Sequence, residues 1–229
     1  MIVVKFLAAV LVGYLLGSIP FGLLIGKRSS KVDVRKHGSG KIGATNVLRT
    51  AGRKAAALVV FLDVSKGVLA VVFAGLIVGR TYLVVGDFGL GALVAQVLAA
   101  LAAMAGHNWS VFLKFHGGRG VATFMGGLIA LCPMAAIFGG EVFIIGAGLT
   151  KFASLGSIAG TVGTYAVLVP LTILHGFPVE YLVYALIGTV IIVVMHRGNI
   201  KRLVSGKERK LGEKAQKVDS PPSSTETVG

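Results

Sequence analysis

The chain contains 229 residues, of which 55% are hydrophobic and only 14% are charged. A soluble domain is usually about a quarter charged, so these values exclude an ordinary water-soluble globule and a largely disordered chain. Lysine and arginine outnumber aspartate and glutamate by 23 to 9, giving a formal net charge of +14. In so apolar a chain the basic excess indicates lipid headgroups, phosphate ligands and topology signals, and we expect no nucleic-acid partner.

Apolar runs long enough to cross a bilayer recur along the sequence, since a spanning helix needs about 20 mostly apolar residues. The long run 119–150 contains Pro133, which disfavours a continuous helix and predicts two short spans there. We therefore predict an all-α, polytopic membrane bundle of seven transmembrane helices, at residues 2–26, 55–79, 86–106, 119–132, 134–150, 154–174 and 178–195. Glycine pairs such as Gly126/Gly127 and Gly156/Gly160 predict close helix packing.

Positive charge is concentrated in two polar segments. Nine of the 23 basic residues lie in 27–54 and eight lie beyond residue 196. The positive-inside rule places both segments in the cytoplasm, with the N-terminus outside and the C-terminus inside. We thus predict one transmembrane domain, residues 1–205, in the cell (inner) membrane. Residues 206–229 are expected to be a polar, disordered cytoplasmic tail that is attracted to anionic lipid.

The first of three polar segments on the predicted cytoplasmic side, residues 38–52, reads GSGKIGATNVLRTAG. Glycines allow backbone N–H groups to face a ligand, and Ser39, Lys41, Asn46 and Arg49 add polar groups suited to a phosphate. On composition alone, an ordinary flexible basic loop is an equal alternative. The spacing is not that of a Walker A motif, so ATP hydrolysis is not indicated.

The second polar segment, residues 106–123, contains the sequence GGRG at 117–120, directly before an apolar run. A glycine-rich turn that opens a helix presents free N–H groups and the positive end of the helix dipole to an anion. Arg119 would add a bidentate phosphate contact, and His107 is a further candidate. An interfacial aromatic belt with snorkelling cations is the alternative for the neighbouring residues, but it does not explain the glycines.

The third polar segment, residues 196–203, reads HRGNIKRL. His196 and Asn199 are three positions apart and could face one site, although a basic stop sequence with a satisfied histidine is the alternative. Inside the second predicted span, Asp63 and Lys66 have the i, i+3 spacing of an ion pair on one helix face. We favour that structural pair over a Lys66 that faces a ligand.

The sequence lacks the residue patterns that several kinds of site require. The single cysteine, Cys132, lies in an apolar run and permits no internal disulfide or cysteine-based metal cluster. The histidines lack metal-ligand spacing, and the sequence has neither a nucleophile elbow nor a carboxylate pair for sugar hydrolysis. We therefore expect no metal, no cofactor and no covalent intermediate.

The motifs together resemble those of the bacterial acyl-phosphate:glycerol-3-phosphate acyltransferases, the PlsY family of integral membrane enzymes. The resemblance rests on SGKIGATNVLR at 39–49, LDVSKG at 62–67, GHNWSVFLKFHGGRGVAT at 106–123 and HRGNIKRL at 196–203. It implies transfer of a fatty acyl chain from acyl phosphate to sn-glycerol 3-phosphate, which yields lysophosphatidic acid and phosphate. It also implies functional coupling to a soluble enzyme that makes acyl phosphate. We expect a monomer that contacts membrane lipid and both substrates.

The resemblance makes Ser39, Arg119 and His196 candidate catalytic residues of this single domain. The substrate phosphates are expected to contact Lys41, Asn46, Arg49, His107, Gly117, Gly118, Arg119, Gly120 and Asn199. Arg119 departs from the family, whose loop usually reads Gly-Gly-Lys-Gly, and this change gives a planar fork in place of an ammonium. The general base stays open between His196 and a phosphate oxygen of a substrate.

Two other functions fit parts of the sequence. A transporter for a phosphorylated metabolite would use a helical bundle with interior glycines. However, the sequence shows no inverted repeat, and its polar motifs gather at one side of the membrane. A lipid-headgroup-binding scaffold would need little more than the basic tail. Formation of an acylated product distinguishes the enzyme from both.

Overall fold

The computed structural model describes residues 2–85, 88–213 and 215. Their main elements are α1 Ile2–Ser18, α2 Phe21–Ser30, α3 Ala44–Val78, β1 Leu83–Val85, β2 Phe88–Leu90, α4 Ala92–Asn108, α5 Val121–Leu131, α6 Pro133–Thr150, α7 Ala153–His175, α8 Val179–Met195 and α9 Arg197–Val204. The predicted helical character is confirmed. The prediction missed the antiparallel hairpin β1–β2, which pairs Leu83 with Leu90. This hairpin occupies the start of the span predicted at 86–106.

Helix length and apolarity support five or six membrane spans in the described part of the chain. Five helical segments pass on both criteria, and a sixth is added if α8 and α9, bent by 60°, count as one span. Helix α5 is apolar but has 11 residues, which is about 16 Å of helix against a hydrocarbon core of about 30 Å. A seventh crossing requires α5, so the count of seven stays a prediction.

Prolines mark two helix breaks. Cys132 has φ −145° and ψ 85° between α5 and α6, and Pro133 begins α6, as the sequence predicted. The span predicted over 2–26 corresponds to the candidate span Ile2–Ser30, but its helix is interrupted, because α1 ends at Ser18 and α2 begins after Pro20. Proline disfavours helical backbone at the preceding residue and removes a donor, which leaves the last carbonyl groups of α1 in need of other partners.

Helix α3 belongs partly to the first polar segment and partly to the bundle. Gly52 kinks it with φ 86° and ψ 179°, a conformation that glycine adopts far more readily than other residues. The turns before this kink carry Asn46 and Arg49, whereas the helix beyond it is the predicted second span. The kink therefore lets one helix contribute both a site wall and a membrane span.

Glycines bring neighbouring helices into close contact, as predicted. A Cβ atom at Gly126 of α5 would overlap the Val64 carbonyl oxygen of α3. Gly156 and Gly160 of α7 also pack closely against α6. Between these pairs lies a core that includes Val71, Met104, Phe124, Leu128, Leu168 and Tyr184. One cavity is lined by Ser39, Arg119 and Asn199, which shows that the three polar segments meet in the folded chain.

Candidate active site

Two adjoining cavities lie where the polar segments meet. The first, hereafter the apolar cavity, has a volume of about 340 Å³ and extends between α3, α5 and α6. The second, hereafter the polar cavity, has a volume of about 570 Å³ and extends toward α9. Residues lining both are Ser39, Lys41, Arg119, Asn199 and Arg209. The structure thus brings together residues from all three predicted segments.

The side chain of Asn46 organises the first polar segment. Its Oδ1 accepts a hydrogen bond from the Ser39 N–H at 3.0 Å. Its Nδ2 lies within hydrogen-bond distance of three carbonyl oxygens, those of Val34 at 2.8 Å, Lys41 at 2.9 Å and His37 at 3.1 Å. Both polar atoms are engaged with backbone, and only 2% of the residue is exposed. The geometry therefore favours a role in shaping the loop over the predicted contact with phosphate.

Two cations of the first segment, Lys41 and Arg49, line the cavities and form no salt bridge with a carboxylate in the part of the chain that the structure describes. Burial lowers the pKa of Lys41, and the nearby charges of Arg119 and Arg197 lower it further. Arg49 donates through Nη2 to the carbonyl oxygens of Arg209 and Lys210, both at 3.1 Å. This clustering of positive charge favours an anion, because a bound phosphate would relieve the mutual repulsion.

The GGRG loop of the second segment rests on the last turn of α4. The Gly118 N–H donates to the His107 carbonyl oxygen at 3.0 Å, and a Cβ atom on Gly118 would overlap the His107 ring. Gly120 has φ +80°, in the left-handed region that favours glycine. The backbone N–H groups of residues 119–122 have no acceptor in the described part of the chain. Free N–H groups at a helix start are suited to an anion, and phosphate binding by this loop stays a prediction.

Arg119 follows the two buried glycines and lines both cavities. Burial lowers its pKa to about 10, with Arg202 and Arg49 adding to the effect and Glu208 opposing it. The guanidinium is still protonated at neutral pH. It makes no salt bridge with a carboxylate of the described residues. A planar cation in this position can bind the oxygens of a phosphate in two places at once.

The predicted ion pair on α3 is confirmed, and it contacts α4 as well. Lys66 Nζ lies 2.9 Å from Asp63 Oδ1 and 2.8 Å from Nδ1 of His107. His107 and Asp63 line the apolar cavity, whereas Lys66 lies behind them. Spacing along one helix predicted the pair, but no sequence signal linked it to His107, 41 residues further along the chain.

The third segment presents a buried histidine to the apolar cavity. His196 lies just beyond α8, is 1% exposed, and its Nδ1 is 2.8 Å from the Ile192 carbonyl oxygen. A carbonyl can only accept, so Nδ1 carries the proton and Nε2 is an acceptor. Burial and the charge of Arg119 lower the pKa of His196 to about 4. The ring is therefore neutral at neutral pH and a weak proton acceptor.

Sequence reasoning missed Glu208, which lies in the predicted disordered tail. Its Oε1 accepts from Asn199 at 2.6 Å and Ser154 at 2.9 Å, and its Oε2 accepts from Arg202 at 2.7 Å. Burial opposes its ionisation, but these hydrogen bonds lower the pKa of the carboxyl. Disorder from residue 206 onward is therefore corrected for residues 206–213; residue 214 and residues 216–229 lie outside the described chain. The available signal was an acid flanked directly by two basic residues, Lys207 and Arg209.

The described residues contain no group of three or more histidine, cysteine, aspartate or glutamate side chains arranged to hold a metal ion. The two cavities are lined by hydrogen-bond donors, by cations and by three histidines, His107, His116 and His196. These groups suit the binding of phosphates and the stabilisation of negative charge.

Comparison with known proteins identifies close relatives. The family model for glycerol-3-phosphate acyltransferase matches residues 7–206. The chain is 66% identical over 216 residues to glycerol-3-phosphate acyltransferase 3 of Dehalococcoides mccartyi, covering 94% of this chain and 100% of the relative. It is 41% identical over 213 residues to the glycerol-3-phosphate acyltransferase of Shouchella clausii, covering 93% and 98%.

Two solved structures share the fold. Both are crystal structures of PlsY, an integral membrane glycerol 3-phosphate acyltransferase. The glycerol 3-phosphate form matches with a TM-score of 0.77 and 36% identity over 90% of this chain and 96% of that one. The lysophosphatidic acid form matches with a TM-score of 0.74 and 35% identity over 90% and 94%. The resemblance read from the motifs is thus confirmed over nearly the whole chain.

Proposed function

Since the chain belongs to the glycerol-3-phosphate acyltransferase family, we propose that this membrane enzyme takes its acyl group from an acyl phosphate. The acceptor is sn-glycerol 3-phosphate, and the products are lysophosphatidic acid and inorganic phosphate. The proposal is carried by the wall that the two cavities share, where Ser39, Lys41, Arg119 and Asn199 face both. Such a wall can hold two phosphorylated substrates side by side.

The two cavities differ in the substrate they suit. Beyond its polar end, the apolar cavity is lined by Val60, Val64, Met125, Phe143 and Ile144. A fatty acyl chain fits this lining, and its phosphate would meet Arg119 and the N–H groups of the GGRG loop. The polar cavity, lined also by basic side chains of α9, suits the small water-soluble glycerol 3-phosphate.

The reaction we propose is a direct transfer. A hydroxyl oxygen of glycerol 3-phosphate bonds to the acyl carbonyl carbon, the bond from that carbon to the phosphate oxygen breaks, and inorganic phosphate leaves. An acyl phosphate is already activated, so the protein mainly positions the substrates and stabilises developing charge. Arg119 stabilises the leaving phosphate, and Ser39 holds a substrate oxygen by a hydrogen bond.

The proton of the attacking hydroxyl passes to a phosphate oxygen in this scheme. An efficient general base has a pKa near the working pH, and His196, with a pKa of about 4, is too weak. Its Nε2 instead accepts a hydrogen bond that orients the hydroxyl. The sequence left the general base open between His196 and a phosphate oxygen, and we therefore assign this role to a phosphate oxygen of a substrate.

The proposed arrangement in the membrane follows from charge. We place α9, the GGRG loop and the first polar segment in the cytoplasm, with the N-terminus outside, because most basic residues gather at that end. All seven predicted helices then cross the cell (inner) membrane, with the short α5 covered by its neighbours. A monomer and coupling to a soluble acyl-phosphate-producing enzyme remain predictions from the resemblance.

The deciding experiment supplies purified protein with palmitoyl phosphate and glycerol 3-phosphate and measures phosphate and lysophosphatidic acid. We expect equal amounts of both products, and no product when palmitoyl-CoA replaces palmitoyl phosphate. Product from palmitoyl-CoA alone would reject the proposed donor. No product from folded protein, with uptake of glycerol 3-phosphate into proteoliposomes, would support the transporter.

Arg119→Ala tests the charge at the shared wall. We expect activity to fall about 100- to 1,000-fold, the usual cost of removing one charge-stabilising group. Arg80→Ala is the matched control, since Arg80 follows α3 at the opposite end and lines neither cavity. Equal activity of the two variants would remove Arg119 from the mechanism.

A further inference from the structure

A buried cluster of Asp63, Lys66 and His107 joins α3 to α4 beneath the GGRG loop. The three residues are 1%, 2% and 4% exposed. Lys66 Nζ lies 2.9 Å from Asp63 Oδ1, 2.8 Å from His107 Nδ1 and 3.2 Å from the Ile19 carbonyl oxygen. Ile19 lies in the break between α1 and α2, and its carbonyl oxygen also accepts from the Phe21 N–H at 3.1 Å. The reaction described above uses neither Asp63 nor Lys66.

These contacts determine which nitrogen of His107 carries the proton. An ammonium group has three donors and no acceptor, and Lys66 faces three partners, Asp63, Ile19 and His107. Nδ1 of His107 must therefore accept from Lys66. A neutral imidazole whose Nδ1 accepts carries its proton on Nε2. Asp63 Oδ1 lies 2.9 Å from Lys66 Nζ but 3.5 Å from His107 Nδ1, so the nearer partner of this carboxylate is the lysine.

The other ring nitrogen of His107 faces the substrate side. A Cβ atom on Gly118 would overlap Nε2, which places this nitrogen directly beneath the GGRG loop. Nε2 makes no hydrogen bond with the part of the chain that the structure describes, and His107 lines the apolar cavity together with Arg119 and Gly120. A hydrogen-bond donor thus lies unused at the proposed position of the acyl phosphate.

We infer that Lys66 and Asp63 are positioning residues that hold His107 as a neutral imidazole, with its Nε2–H available to an oxygen of the acyl phosphate. His107 then binds substrate as a neutral donor beside Arg119, adding no charge to a crowded cationic site. Neutral histidine donors of this kind polarise carbonyl oxygens in other enzymes. The inference rests on the proposed function for its substrate, but the state of the ring can be measured without any reaction.

The first test reads the tautomer directly. Protein labelled with ¹⁵N-histidine is studied in detergent micelles by two-bond nitrogen–proton correlation, and His107 is assigned by its absence in His107→Gln. We expect the Nε2–H tautomer in the wild type at neutral pH. In Lys66→Met, the nearest partner of His107 Nδ1 is Asp63 Oδ1, at 3.5 Å. This carboxylate oxygen should draw the proton of the ring to Nδ1. An Nδ1–H tautomer in the wild type would overturn the inference even if the enzyme is active.

The second test separates donation by Nε2 from the contact with Lys66. The amide nitrogen of glutamine can take the place of Nε2, whereas asparagine reaches only the place of Nδ1. We expect His107→Gln to stay within about tenfold of wild-type kcat/KM and His107→Asn to lose about 100-fold, at similar unfolding temperatures. The loss should include a raised KM for palmitoyl phosphate. If the glutamine variant is as inactive as the asparagine variant while both are folded, Nε2 does not donate to substrate.

Discussion

The Asn199 amide donates a hydrogen bond of 2.6 Å to the carboxylate of Glu208, nine residues further along the chain. The same carboxylate oxygen accepts from Ser154 at the start of α7, so one buried acid holds α7 and α9 together. Its other oxygen accepts from Arg202. The orientation of Asn199, which faces both cavities, therefore depends on a residue that contributes no hydrogen-bond donor of its own.

Glu208→Ala should weaken both the fold and the site. The change leaves Asn199, Ser154 and Arg202 without their shared partner. Because one of these partners, Arg202, is partly exposed, we expect the free energy of unfolding to fall by about 2–4 kcal/mol. We expect a lower unfolding temperature and at least a tenfold loss of acyl transfer. Glu180→Ala, which removes a partly buried acid in the first turn of α8, is the control. Unchanged stability and activity in Glu208→Ala would show that the contact is dispensable.

Patterns within one segment of the chain predicted much of this architecture. Apolar runs marked the helices, Pro133 marked the break between α5 and α6, and the i, i+3 spacing of Asp63 and Lys66 marked their pair. The polar segments were expected on one side because the basic residues are not evenly distributed. These features depend on hydropathy, proline geometry and helix periodicity, which are local properties of a sequence.

Contacts between distant segments could not be predicted in this way. His107 meets Lys66 only because α3 and α4 pack together, and Glu208 reaches Asn199 only because the chain turns back after α9. The role of Asn46 could not be assigned from the sequence for a related reason: an amide in a glycine-rich loop can bind phosphate or backbone with the same atoms. Composition does not distinguish these outcomes, whereas the position of neighbouring carbonyl groups does.

Asn46→Ala should collapse the first polar segment. The side chain holds Ser39 and Lys41 in place through backbone hydrogen bonds, each with a net value of about 0.5–1.5 kcal/mol. We expect a loss of about 2–4 kcal/mol in unfolding free energy and a raised KM for both substrates. Thr50→Ala is the control, because its hydroxyl binds only carbonyls of its own helix. A KM effect without any loss of stability would instead assign Asn46 to direct phosphate binding.

Gly118→Ala should damage the anion loop through a single methyl group. That Cβ atom would overlap the His107 ring, so the GGRG loop must move away from α4. We expect at least a tenfold rise in KM for palmitoyl phosphate, because the loop N–H groups lose their alignment. Gly148→Ala on α6 is matched in chemistry but has open space at its Cβ position, and it should be neutral or slightly stabilising. Equal kinetics for the two variants would argue against a tightly packed loop.

His196 should make stability depend on pH between about 6.5 and 4. In the unfolded chain this histidine has its ordinary pKa of 6.5. In the folded protein, burial and, to a smaller extent, the charge of Arg119 lower the pKa to about 4. Protonation therefore favours the unfolded chain. The stability associated with the neutral ring is fully present above the unfolded value and is lost as pH falls toward the folded one. Thermal unfolding at about pH 7.5 and about pH 5 should show a larger loss for the wild type than for His196→Gln, which cannot titrate. A parallel loss in both proteins would mean that the ring is not held neutral, and His196 would then return as a candidate general base.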